Sequence, residues 1–269
     1  MANELVSKRF SAKAATYDQY AVVQQEMASI LAKSIFSGTR QVQSLLEIGS
    51  GTGGLTWLLR AQFPLCEYVA LDIAPGMVKQ ARERFREDTR IRFELADVER
   101  WVWEERSETY DLAASSACFQ WLQQPARTAA GLYKLLRPGG QLFFSTFGPG
   151  TFQELHRSFD SAYRLLDRPP ERHGLSYLTP EQWRDICLGA GFASVESERT
   201  RRTLYYPDVR SFLQAVKAIG ANAGGKSSGT GLGQRRLLTA MMAEYQRLYG
   251  DERGVPVTYE LVFIRAKKA

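Results

Sequence analysis

The sequence predicts an α/β fold: a doubly wound, mostly parallel sheet of seven strands with helices on both faces. Three observations predict it. Short apolar runs ending near residues 48, 72, 97 and 116 alternate with helical spacing, the pattern of successive strand–helix units. The first run passes directly into a glycine-rich turn that opens a helix. Near the C-terminus, Val257, Tyr259, Leu261 and Phe263 recur at strand period within 255–266.

The chain opens with an addition to that core. Between residues 5 and 36, Leu5, Phe10, Ala14, Tyr17, Tyr20, Val23, Met27, Ile30 and Leu31 recur at spacings of three to five, which predicts helix. A break is expected at Thr16-Tyr17-Asp18, and Lys8, Arg9 and Lys13 give the first part a basic face. Helices placed ahead of the first strand can cover a ligand bound at its end.

The first strand and its turn read Leu45-Leu46-Glu47-Ile48-Gly49-Ser50-Gly51-Thr52-Gly53-Gly54. Glycines let the chain turn tightly and bring backbone against a ligand. Leu55, Leu58 and Leu59 then start a helix. Gly49, Gly51 and Gly54 also satisfy the dinucleotide pattern G-x-G-x-x-G, which is weak alone. Glu47 shifts the balance. A carboxylate at that strand end is expected beside the ligand, where it suits a cation and repels a pyrophosphate. E-x-G-x-G-x-G resembles motif I of class I methyltransferases, whose S-adenosylmethionine is positively charged.

The second strand, 68–73, ends at Asp72, nineteen residues beyond Gly53. An acid there is placed to accept from both hydroxyls of a ribose. Met77, in the next helix, is a candidate to pack on an adenine. The third strand, 91–97, ends at Asp97, which is placed to accept from the adenine amino group or to cap a helix. The fourth, 110–116, leads to Phe119, Gln120 and Trp121, candidates because loops beyond strand ends face the ligand. Ala129 to Leu136 is expected to be helical, stopped by Arg137-Pro138-Gly139-Gly140 ahead of a fifth strand at 141–147.

Helices are expected at 152–166, from Thr179-Pro180-Glu181 to Gly191, and at 208–220 and 234–249, with a sixth strand at 193–206. The stretch 221–233 is rich in glycine and serine. Gly220 to Ser227 matches the P-loop pattern, but a helix precedes it and no helix follows at once, so triphosphate binding is rejected. The expected organisation is a helical cap at 1–37, a core at 38–147, a helical lid with one strand at 148–250, and a last core strand at 251–269.

Composition narrows the function. With 44% hydrophobic residues, a large core is expected. No apolar run approaches the roughly 20 residues of a membrane span, and the first residues carry no signal-peptide pattern. Three scattered cysteines and two histidines supply no metal framework, and a reducing cytoplasm is the simplest setting. The net charge of +6 favours an acidic partner. Between Arg199 and Arg236 the excess is +7, from Arg199, Arg201, Arg202, Arg210, Lys217, Lys226, Arg235 and Arg236 against Asp208.

Taken whole, the chain resembles the malonyl-acyl-carrier-protein O-methyltransferases of biotin synthesis. The more specific carriers are Lys8-Arg9-Phe10, Thr16-Tyr17-Asp18-Gln19-Tyr20, Phe119-Gln120-Trp121, Phe144-Ser145-Thr146-Phe147-Gly148, Val209-Arg210-Ser211-Phe212-Leu213 and Lys217 to Ala221. The resemblance implies a Rossmann-like fold and methyl transfer from S-adenosylmethionine to the free carboxylate of a malonyl thioester on acyl carrier protein. S-adenosylhomocysteine would be the product. It implies cofactor contacts at Glu47, Gly49, Ser50, Gly51, Gly53, Asp72, Ile73, Met77, Asp97, Val98 and Ser115. Tyr17 and Phe119 are the catalytic candidates. Lys8, Tyr17, Asp18, Gln120, Trp121, Phe147, Arg199, Arg201, Arg202, Arg210 and Lys217 are the substrate candidates. No metal, nucleic acid or membrane is expected.

The chemistry agrees with this. A carboxylate is already ionised near neutral pH, so its methylation needs alignment and exclusion of water rather than a strong base. Arg199, Arg201 or Arg202 is a candidate to grip the malonyl carboxylate, and Arg210 and Lys217, two helical turns apart, to dock an acidic carrier protein. The alternatives are a methyltransferase for a small carboxylic acid or quinone precursor, a nucleic-acid methyltransferase, a non-catalytic module and a nicotinamide oxidoreductase. Ser116-Ala117-Cys118-Phe119 lacks the Asn/Asp-Pro-Pro-aromatic run of methyltransferases acting on base amino groups.

Overall fold

The computed structural model describes residues 2–39, 41–221 and 232–269. Residues 222–231 of the glycine-serine stretch, with Lys226 and most of the P-loop look-alike, lie outside the described residues. Three helices come first: α1 (Ala2–Lys13), α2 (Tyr17–Tyr20) and α3 (Val22–Gly38). Then β1 (Ser44–Ile48), α4 (Gly54–Gln62), β2 (Glu67–Asp72), α5 (Pro75–Arg84), β3 (Ile91–Leu95), α6 (Val98–Trp101) and β4 (Tyr110–Ser116) alternate. A single 3-10 turn, Phe119–Trp121, leads to α7 (Pro125–Leu135) and β5 (Leu136–Phe147). The remainder is α8 (Gln153–Leu165), α9 (Pro180–Gly189), β6 (Ser194–Tyr206), α10 (Val209–Ala218), α11 (Leu232–Tyr249) and β7 (Val255–Lys267).

The seven strands form one sheet in the order β3-β2-β1-β4-β5-β7-β6. Only β7 runs against its neighbours. The order reverses between β1 and β4, so a crevice opens beyond their C-terminal ends. β1 is buried at every position because helices cover both faces. Its alternation sorts the layers: Leu45 joins the core shared with α3, α4, α5, α8, α10 and α11, while Leu46 and Ile48 join the core shared with α6, α7 and α9.

Local chemistry sets the element ends. Thr179 and Gln182 exchange side-chain and backbone hydrogen bonds in a capping box that starts α9. Some expected boundaries move, and β3 ends at Leu95 rather than at Asp97. The first helical break falls before Tyr17, which begins α2 rather than interrupting it. β5 begins at Leu136, because Leu136 pairs with Tyr110 before the register shifts at a bulge. The edge strand β6 is mostly exposed and carries Glu196, Glu198, Arg199, Arg201 and Arg202. Charges on an edge discourage pairing with another chain, which accounts for part of the basic excess.

Candidate functional site

A cavity of about 110 Å³ occupies the crevice. The ends of β1, β2 and β4 supply Ile48, Gly49, Gly51, Asp72, Ile73, Ser116, Ala117 and Cys118. Met77, Ala96, Asp97, Val98 and Glu99 close one side, and Trp121 and Leu122 another. The roof is α1, whose Asn3, Val6 and Phe10 share one helical face. Hydrogen bonds hold α1 down, among them one from Asn3 to Glu99 at 3.3 Å. Asn3 donates to Asp97 at 2.9 Å, Ser7 donates to the Ile73 carbonyl at 2.8 Å, and Ser11 accepts from the Gly76 N–H at 2.7 Å.

The glycine turn is built by backbone geometry. Gly49 and Gly51 have φ of +69° and +56°, in the left-handed region. A Cβ on Gly49 would stand 2.5 Å from the Cys118 sulfur. A Cβ on Gly51 would meet no protein atom, so the backbone there borders open space of the kind a ligand fills. Asp72 holds the turn, accepting from the N–H of Gly51 and of Ala74 at 2.8 Å each. Burial raises its carboxyl to about 6, and those N–H groups oppose the rise.

The cavity is acidic. Asp72, Asp97 and Glu99 line it, and no lysine or arginine does among the described residues. Glu47, expected beside the ligand, does not line this cavity. It is buried on the opposite side of β1 from Ile48, where its Oε2 accepts from Thr56 and Tyr68 at 2.6 Å each. Burial pushes its carboxyl up to about 7 against those two bonds.

A second, narrower cavity of about 30 Å³ abuts the first. Phe10, Tyr17, Ala117 and Trp121 line both. Phe147, Thr151, Phe152, Leu175, Tyr177, Ile219 and Tyr259 make the rest a largely aromatic wall, with Gln24 and Gln120 as polar members. Tyr17 and Trp121 each meet Phe10 edge-on, with centroids 6.3 and 5.4 Å away. The Tyr17 phenol is raised above its usual range, first by burial and then by the charges of Asp72 and Asp18.

Of the expected cofactor residues, Gly49, Gly51, Asp72, Ile73, Met77, Asp97 and Val98 line the first cavity. Ser50, Gly53 and Ser115 do not. Ser50 has a buried hydroxyl without a partner, Gly53 caps α4 against Phe85, and Ser115 donates to the Ile48 carbonyl. Of the expected catalytic and substrate residues, Tyr17, Gln120, Trp121 and Phe147 meet at the second cavity. Phe119 is instead buried, stacked on Phe144 with centroids 4.3 Å apart. Asp18 accepts from Thr52, and Lys8, Arg210 and Lys217 are exposed.

The three arginines separate. Arg202 lies opposite Tyr259 in the β6–β7 register and pairs with Glu26 at 3.0 Å. Arg199 and Arg201 lie on the other face with Glu260, and none of the three lines either cavity. Sequence reasoning missed Asn3, Val6, Glu99, Tyr177 and Tyr259. Only the spacing of Asn3, Val6 and Phe10 held a signal for the roof.

Comparison with known proteins places this geometry. A methyltransferase-domain family model matches residues 46–142. The malonyl-[acyl-carrier protein] O-methyltransferase of Brevibacillus brevis is 45% identical, over 99% of this chain and 96% of that one. The chain belongs to the malonyl-[acyl-carrier protein] O-methyltransferase family. A second member, from a Paenibacillus species, is 40% identical over 97% of each chain. Among solved structures, the fold of this O-methyltransferase family member is shared with the YcgJ protein of Bacillus subtilis, at a TM-score of 0.60 and 13% identity, covering 90% of this chain and 98% of that one. It is also shared with phosphoethanolamine N-methyltransferase 2 of Haemonchus contortus in complex with S-adenosyl-L-methionine, at a TM-score of 0.54 and 18% identity, covering 90% of this chain and 52% of that one.

Proposed function

We propose that this protein transfers a methyl group from S-adenosylmethionine to the free carboxylate of malonyl-acyl carrier protein, giving the methyl ester used in biotin synthesis. The observation that carries this is the junction of an acid-lined cavity with an aromatic one at a common wall of Phe10, Tyr17, Ala117 and Trp121. Acids without bases suit a sulfonium and disfavour a pyrophosphate. When bound, S-adenosylmethionine supplies a methyl on positively charged sulfur and leaves as S-adenosylhomocysteine.

The residues divide the work. Gly49 and Gly51 bring backbone to the cofactor, Asp72 and Asp97 accept from it, and Ile73, Met77 and Val98 pack on it. Tyr17 donates toward the acceptor carboxylate and, with Phe10 and Trp121, keeps water from the reacting atoms. The aromatic cavity takes the malonyl thioester and its pantetheine arm. Lys8, Arg210 and Lys217, each exposed, are the cations that meet the acidic carrier protein. In this account residues 1–37 and 148–250 are cap and lid around a core completed by 251–269. The partner is neither nucleic acid nor membrane; among the described residues no helix is long and apolar enough to cross a bilayer. The setting is the cytoplasm, in keeping with three free cysteines.

The test is transfer of labelled methyl from S-adenosylmethionine to malonyl-carrier protein and to acetyl-carrier protein. Label on the malonyl form alone is expected; equal label on both, or none on either, rules the assignment out. Charge reversal at Arg210 and Lys217 is expected to lower kcat/KM for the carrier-protein substrate by about tenfold or more, with no such loss for a free small acid.

A further inference from the structure

The peptide after β4 has an unusual backbone and an unusual partner. Ala117 has φ of +51°, a region that residues with a Cβ rarely adopt. Its N–H donates to the Ser145 carbonyl at 2.9 Å. Its carbonyl accepts from the Gln120 amide nitrogen at 2.6 Å. The other end of that amide is held too, because Gln120 Oε1 accepts from the Thr146 hydroxyl at 3.0 Å. Thr146 is fully buried in β5. Gln120 therefore bridges a rigid strand to the left-handed residue at the wall between the two cavities.

We propose that Gln120 is a positioning residue for methyl transfer: held by Thr146, it fixes and occupies the Ala117 carbonyl, so that an anionic acceptor meets no unpaired oxygen at the junction. This rests on the carboxylate acceptor proposed above. A carbonyl oxygen carries partial negative charge, and in a cavity shielded from water it repels a carboxylate more strongly than it would in solution. The Gln120 N–H offsets that repulsion at one lone pair. The amide is neutral, so it forms no ion pair with the acceptor. An ion pair would bind the charged ground state more tightly than a transition state in which the charge is fading. A free Ala117 carbonyl would instead suit an amine with a proton to donate.

The experiment compares the wild type with Gln120→Leu, Gln120→Glu, Thr146→Val and Thr146→Ser. It measures kcat and KM on malonyl-carrier protein, cofactor affinity by calorimetry, and Tm. For Gln120→Leu, kcat is expected to fall about tenfold or more while KM and cofactor affinity stay within about threefold. Thr146→Val should lose less, and Thr146→Ser should recover wild-type kcat. Gln120→Glu supplies a readout that a packing role would not move. Protonated, the introduced carboxyl donates to Ala117; ionised, it cannot, and it repels the acceptor. Its activity should fall as pH rises through that ionisation, a limb the wild type lacks. An undiminished kcat in Gln120→Leu, an effect on KM alone, or a flat profile for Gln120→Glu overturns the proposal. Failure of the wild type to methylate malonyl-carrier protein overturns the acceptor assignment and this proposal with it.

Discussion

Thr52 donates its hydroxyl to Asp18 across 2.6 Å, tying α2 to the glycine turn. Arg84 reinforces the tie, reaching the Asp18 carboxylate at 3.5 Å and the Thr52 carbonyl at 3.2 Å. Asp18 adjoins Tyr17, so the latch sets where the phenol stands over the cavity junction. Asp18, a substrate candidate, lines neither cavity.

Removing either partner should cost the same thing. Asp18→Ala and Thr52→Val are each expected to weaken the latch by about 1 kcal/mol, and the double variant to lose little more than either single one. The measurement is kcat/KM in a double-mutant cycle. Strictly additive losses would show that the two residues act separately.

The core was legible because local pattern and global fold agree there. Apolar strands and turn glycines read the same way at every level, and Asp72 and Asp97 line the cavity as their spacing predicts. Other residues depended on tertiary packing. Which face of β1 meets the ligand decides whether Glu47 or Ile48 lines the cavity, and nothing local to the motif settles it. Phe119 and Trp121 share one short turn, yet the first stacks on Phe144 and the second opens on the cavities. Tyr177, from the segment between α8 and α9, and Tyr259 of β7 come together only by packing on Phe147 of β5. The arginines of β6 were visible as charge, but their sorting to two faces follows from register with β7.

Glu47 should shape stability against pH. Its folded carboxyl lies near 7 against an ordinary 4.5, so between those values the native chain holds a proton that the unfolded chain has lost. The stabilisation is therefore full below about 4.5 and lost as pH rises through 7, on the order of 3 kcal/mol. Glu47→Gln keeps an acceptor for Thr56 and Tyr68 but cannot ionise. Its Tm relative to wild type should climb between about pH 5 and about pH 8, other titrations cancelling in the difference. A difference that stays level would mean that Glu47 does not carry the effect.

Tyr17 is held protonated by burial and by the nearby charges of Asp72 and Asp18, so it remains a hydrogen-bond donor through the physiological range. Methyl transfer should then show no alkaline limb from this residue between about pH 7 and about pH 9. Tyr17→Phe keeps the ring against Phe10 but removes the donor. Its kcat is expected to drop by about tenfold or more across that whole interval, with cofactor affinity nearly unchanged. A loss that appears only at the alkaline end would point to a titrating phenol instead.

The two cavity glycines should fail in different ways. At both, alanine must adopt a positive φ, at a cost of about 1–2 kcal/mol. At Gly51 that strain is the whole structural cost, because the added Cβ meets no protein atom. Gly51→Ala should therefore fold with Tm lowered by only a few degrees, yet bind S-adenosylmethionine about tenfold or more weakly, since the methyl enters the space assigned to the cofactor. At Gly49 the Cβ would also press on Cys118, 2.5 Å from its sulfur and 2.6 Å from its Cβ. Gly49→Ala should accordingly lose several degrees more and lose binding as well, because the loop after β4 must shift. Thermal melts paired with calorimetric titration separate the two. Wild-type affinity in Gly51→Ala would mean that the open space beside that residue is not where the cofactor lies.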